Sequence, residues 1–153
     1  MNPLVPEALS TNCATMNCVK IEDVEALQEL LRNEGYNVHL AELKGATDET
    51  EIFLRIAACL PYGAAYISLH KKINLDALAD MLYSGVWEEG KVALVITNAN
   101  DLVENHINLM FGLLVNFTLV TSRLRNKGFK ATGTMSFRGK ITTFLVGTGP
   151  NFV

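Results

Sequence analysis

Lys91 to Thr97 read K-V-A-L-V-I-T, with five apolar residues in an unbroken row. A strand with one wet face alternates polar and apolar residues. A strand covered on both faces does not. The run therefore predicts a central strand of a mainly parallel sheet. Parallel strands are joined only by long crossovers, so helices are expected on either side of it.

Downstream, Asn98 to Asp101 is turn chemistry, and an acid suits the start of the next helix. A long helix is expected from about Leu102 to Lys127. Its middle is apolar nearly all round (Ile107, Met110, Phe111, Leu113, Leu114, Val115, Phe117), the mark of a buried helix. Ile107 to Val120 is too short for a membrane span, so no membrane contact is expected. Arg123, Arg125 and Lys127 form a cationic end before Gly128. Thr132–Phe137 and Lys140–Val146 are β-rich and flank Arg138-Gly139, which predicts a C-terminal β-hairpin.

Upstream lies Asn74 to Leu82, N-L-D-A-L-A-D-M-L. Asn74 is a good N-cap. Leu75, Leu78 and Leu82 fall on one helical stripe. Asp76 and Asp80, four apart, sit one above the other and point away from it. Gly85 is expected to close this helix. Before it, Leu60 to Ile73 reads as a long connection, with a short strand at Ala64–Leu69. A helix capped by Thr47 or Asp48 buries Ile52, Phe53, Ile56, Ala57 and Leu60 and ends at Pro61. Val38–Leu43 is a strand. Glu22–Asn33 is an amphipathic helix on Val24, Leu27, Leu30 and Leu31, stopped by Gly35. Asn17–Ile21 is a short extra strand. Residues 1–16 hold two prolines and no periodicity, so they read as a flexible arm before a single domain at 17–153.

The order of these segments implies an α/β layer fold. The 153 residues suffice for one domain with a sizeable core, and a net charge of −3 argues against direct nucleic-acid binding. Three cysteines, Cys13, Cys18 and Cys59, form no framework and imply a reduced, cytoplasmic protein. No zinc spacing is present. The N-terminus lacks a basic start and a long apolar run, so a signal peptide is not expected.

The string N-L-D-A-L-A-D-M-L resembles the signature of the barstar family, bacterial intracellular ribonuclease inhibitors and immunity-type proteins. The element order from Val38 to Gly147 is similar as well. The resemblance implies a three-layer arrangement with a parallel sheet flanked by helices. It also implies an inhibitor that blocks a bacterial nuclease or toxin domain with its acidic helix. Asp76 and Asp80 map onto the family's two inhibitory acids and Asn74 onto its capping asparagine. Ala79, Tyr83 and Trp87 are partner-facing by position. The mechanism would be mimicry, two carboxylates taking the phosphate positions of a basic active site.

Departures accompany the likeness. The family's aromatic-glycine pair before the asparagine is replaced by His70, Lys71, Lys72 and Ile73, and Pro61-Tyr62-Gly63 lies about ten residues earlier. Ala79 stands where the family often has Trp. The basic Arg123, Arg125 and Lys127 occupy a helix end that is acidic in the family's best-known member. The target is therefore expected to differ from the usual secreted ribonuclease.

An enzyme is not expected. His39, His70 and His106 are scattered outside any catalytic motif. No phosphate loop is present, and no metal or cofactor is implied. The alternative to inhibition is an interaction or scaffold module on the same fold. Composition leaves the oligomeric state open.

Overall fold

Val92, Leu94 and Ile96 of the K-V-A-L-V-I-T run enter one hydrophobic core, and Ala93 and Val95 enter a second on the opposite face. The computed structural model describes residues 4–10, 14–70, 73–132 and 139–153. In chain order these form α1 (Leu4–Ser10), β1 (Thr15–Lys20), a 3-10 turn (Ile21–Asp23), α2 (Val24–Asn33), β2 (Asn37–Glu42) and α3 (Glu49–Cys59). Then come α4 (Gly63–His70), α5 (Leu75–Glu89), β3 (Lys91–Thr97), α6 (Asn100–Asn105), α7 (Ile107–Thr132) and β4 (Lys140–Gly147). The four strands make one all-parallel sheet in the order β1-β4-β3-β2.

The layers follow from the order. From β1 the chain crosses to the far edge at β2, then returns through β3 to β4. Parallel crossovers keep one hand, so reversing direction sends the next helices to the other face. Accordingly α1 and α2 bury Val5, Leu27 and Leu31 against one side, while α3, α5, α6 and α7 pack on the other. This is the three-layer α/β arrangement expected from the sequence.

Four details differ from expectation. Residues 4–10, read as part of a loose arm, form a helix with Val5 and Ala8 buried. The buried Lys140 Nζ donates to Ala8 O at 3.0 Å and Leu9 O at 3.1 Å, a cation on the last carbonyls of α1. Ala64–Leu69 is helical rather than extended. The chain turns at Tyr62 (φ 65°), and Gly63 sits where a Cβ would come 1.7 Å from Ala57 O. β4 is bonded to a parallel neighbour on each side and is a central strand, not one arm of a hairpin. Of the other proposed arm, Thr132 ends α7 and residues 133–138 lie outside those described.

The fourth concerns helix ends. Gly128 does not stop α7, which continues to Thr132, and Gly85 does not stop α5, which runs to Glu89 and ends at Gly90 (φ 85°). Gly85 serves packing instead. A Cβ there would lie 2.5 Å from Pro61 Cβ and 3.2 Å from Pro61 O. Gly85→Ala is therefore expected to destabilise the protein by about 1–3 kcal/mol through overpacking. Chemical denaturation with the exposed Ser84→Ala as control checks this.

α7 is also less buried than its composition suggests. Leu109, Leu113, Phe117, Val120 and Leu124 pack in the core, but Ile107, Phe111, Val115 and Leu119 face out. By length and composition alone, Ile107–Gly128 could cross a membrane.

At the carboxyl ends of β2 and β3, Glu42 accepts hydrogen bonds from Lys44 N–H (2.7 Å), the Thr97 hydroxyl (2.9 Å) and the Asn98 amide (2.5 Å). Burial raises its pKa, but these donors together outweigh burial and hold it below the ordinary 4.5. A depressed carboxyl stabilises the fold above its unfolded pKa and loses that contribution as pH falls through the folded value. Between pH 6 and pH 3 (about the span that brackets 4.5), wild type should lose more stability than Glu42→Gln. Urea unfolding across that range measures the difference.

Candidate protein-binding face

α5 begins as the sequence predicts. Asn74 is extended, and its side-chain oxygen accepts from Ala77 N–H at 2.8 Å. α3 begins in the same way, with Asp48 accepting from Glu51 N–H at 3.1 Å. α3 follows β2 and so starts at the carboxyl edge of the sheet, and α7 follows β3 through the short α6, with its Leu109 lining the same cleft as Glu49 and Thr50 of α3. α5 leads into β3 through Gly90, which puts its start at that edge too. Asn116 of α7 fixes this start by donating to Leu75 O at 2.6 Å.

The three helix starts enclose an open cleft of about 530 Å³. Glu49 and Thr50 line it from α3, Asn74, Leu75 and Asp76 from α5, and Phe53, Ile73 and Leu109 supply apolar walls. Each carboxylate stands in the first turn of its own helix, where the dipole favours negative charge. An anion entering meets Glu49 and Asp76. A cationic side chain on an aliphatic stem meets charge at the rim and apolar surface inside.

One turn along, the surface changes sign. Asp80 is 79% exposed, but Arg123 Nη1 lies 3.4 Å from its Oδ1. Arg123 is stacked 4.6 Å from the Tyr83 ring centre, while Lys127 lies 5.0 Å from Tyr83 and 4.3 Å from Trp87. These cation–π contacts hold the cations over α5. With Asn126 and Lys130 they line a shallow basic hollow of about 270 Å³.

The six residues singled out from the sequence thus part company. Asn74 and Asp76 join the cleft. Asp80 is open to solvent beside a cation. Tyr83 and Trp87 lie under α7 cations, and Ala79 packs against the core. Leu75, expected in the apolar stripe, is 36% exposed. It stands next to Gly112 of α7, where a Cβ would lie 3.2 Å from its Cδ1. Glu49 and Thr50 were not foreseen as site residues, because only the fold brings α3 beside α5.

Of the histidines only His106 reaches the cleft rim among the described residues, its Nδ1 lying 3.8 Å from Glu49 Oε2. His39 bridges Cys59 O and Glu89, His106 contacts Thr47 O and Asp101, and His70 stacks on Tyr66. Burial raises the thiol pKa values of both Cys18 and Cys59. Among the described residues no three His, Cys, Asp or Glu side chains gather as a metal-ligand set. Cys13, Lys71 and Lys72 lie outside the described residues.

No protein-family model matches the chain, and no curated protein matches it.

The geometry separates cap from charge. Asn74→Ala should cost about 1 kcal/mol. Asp80→Asn, which breaks an exposed pair, should change stability by about 0.5 kcal/mol or less. Urea denaturation followed by circular dichroism distinguishes them.

Proposed function

We propose that this chain is a barstar-like inhibitor acting in the cytoplasm. It would bind a bacterial nuclease or toxin domain and occupy its basic active site with the start of α5. The observation that carries this is the open acidic face. Asp76 and Asp80 are exposed, and Asp76 shares the rim of a cleft with Glu49. The strand, helices, strand, helices, strand order from β2 onward supports the same reading.

In this scheme a lysine or arginine of the target enters the cleft and meets Asp76 and Glu49. Asp80 takes a second cation once Arg123 gives way. A capped helix is preorganised, so docking orders little that was free. Opposite charges also speed the encounter. The reading involves no chemistry by this chain, no metal or cofactor, no direct nucleic-acid contact and no membrane.

One observation favours the alternative of a scaffold without inhibitory activity. Arg123 and Lys127 place positive charge beside Asp80, which weakens the field offered to a basic target.

The test is capture from lysate followed by an activity assay on what is captured. Wild type should hold a small basic nuclease or toxin and suppress its activity. Asp76→Ala should weaken binding by about tenfold to a hundredfold, the range for a charged hydrogen bond. Asp80→Ala should cost less, and Arg123→Ala should leave binding equal or tighter. Unchanged binding by the Asp76/Asp80 double alanine protein would exclude this face as the inhibitory site.

A further inference from the structure

The outer face of α7 has no partner among the described residues. Ile107, Phe111, Val115 and Leu119 follow one another at four-residue intervals and are 48%, 53%, 59% and 58% exposed. Exposed apolar residues scattered singly are ordinary, whereas a contiguous row marks an interaction surface. An i, i+4 row is a helix ridge, the unit by which helices pack on one another. Leu75 broadens the patch at Gly112, where the surface of α7 is lowest. No Asp, Glu, Lys or Arg occurs from Asn105 to Ser122.

The chain just before and just after this face carries opposite charge. Glu104, near the end of α6, is exposed, and Arg125 lies beyond the row and is exposed. Arg125 is eighteen residues after Ile107, five whole helical turns at 3.6 residues per turn, and so shares its azimuth. Neither Glu104 nor Arg125 has a charged partner among the described residues.

We infer that this face binds the same face of a second copy, antiparallel, about a two-fold axis near Val115. Such an axis sets Phe111 opposite Leu119 of the second chain and brings each Glu104 to the other's Arg125. A parallel pairing would oppose like charges. A membrane surface is the poorer match, because interfacial helices carry cations along the flanks of the apolar face. Here cations stand at one end and an acid at the other. The apolar row spans about 18 Å, so the dimer interface is of modest size.

Sedimentation equilibrium on the full chain tests this. Wild type should move from 16.8 kDa toward twice that mass as concentration rises. Val115→Glu, on an exposed position, should weaken association at least tenfold (about the cost of one buried charge) with unchanged circular dichroism. Glu104→Arg and Arg125→Glu should each weaken it, and the double exchange should restore it. Arg125 lies about 27 Å beyond Ile107 along α7, and Glu104 precedes Ile107 in α6, so restoration reports contact between chains. A wild type that stays monomeric, Val115→Glu without effect, or a double exchange that fails to restore association overturns the inference. So does a monomer that floats with phosphatidylserine vesicles in a Val115-dependent way, which would assign the face to a lipid surface.

Discussion

Everything in this molecule depends on the four strands running in one direction. A parallel ladder allows no tight hairpin, so each connection must leave one edge of the sheet and return to the other. The helices are the form those connections take. Both faces of the sheet are then covered, and its middle strands must be apolar on both sides. Val92 to Ile96 meet that demand without a polar interruption. The same constraint gathers the starts of α3, α5 and α7 at the carboxyl edge. The cleft is thus a product of topology before it is a product of any particular side chain, as in other open α/β sheets.

The chemistry of the exposed surface is decided by how α5 and α7 lie together. Asn116 ties α7 to the first turn of α5, and Arg123 and Lys127 reach back over Tyr83 and Trp87 farther along. One helix face therefore carries two characters in succession. Its start is acidic and borders a cleft, and its later turns are aromatic and roofed by cations. Proteins that bind strongly charged partners often show a single uniform field. Here only the first turn offers uncompensated carboxylate.

Much of the fold was legible in local pattern. The unbroken run at Lys91–Thr97, the caps at Asp48 and Asn74 and the stripe of Glu22–Asn33 all report short-range physics. What stayed hidden depends on distant partners. α1 is short, and its last carbonyls are held by Lys140, more than a hundred residues away. Gly85 looked like a helix stop because glycine often is one, yet here it makes room for Pro61. The β-rich tail suggested a hairpin because periodicity does not tell which neighbours a strand will have. At the site, Asn74 and Asp76 could be read from spacing, but their companion Glu49 could not. The exposed side of α7 was invisible for a similar reason. Composition that is apolar all round cannot say which side the sheet takes.

The strand order bears on how the chain comes to be folded at all. Among the described residues β1 is made first and pairs with no strand but β4, which is made last of the four. While the chain emerges from the ribosome, β2 and β3 can pair as soon as both are out. β1 must wait, its backbone groups unsatisfied, with a gap in the sheet that only residues 140–147 can fill. Closure of that gap joins segments more than a hundred residues apart, a long loop to close and a slow kind of contact to form. The protein therefore reaches its native state only once β4 has been synthesised. Until then its interior is an open edge, the condition in which nascent chains most need chaperones.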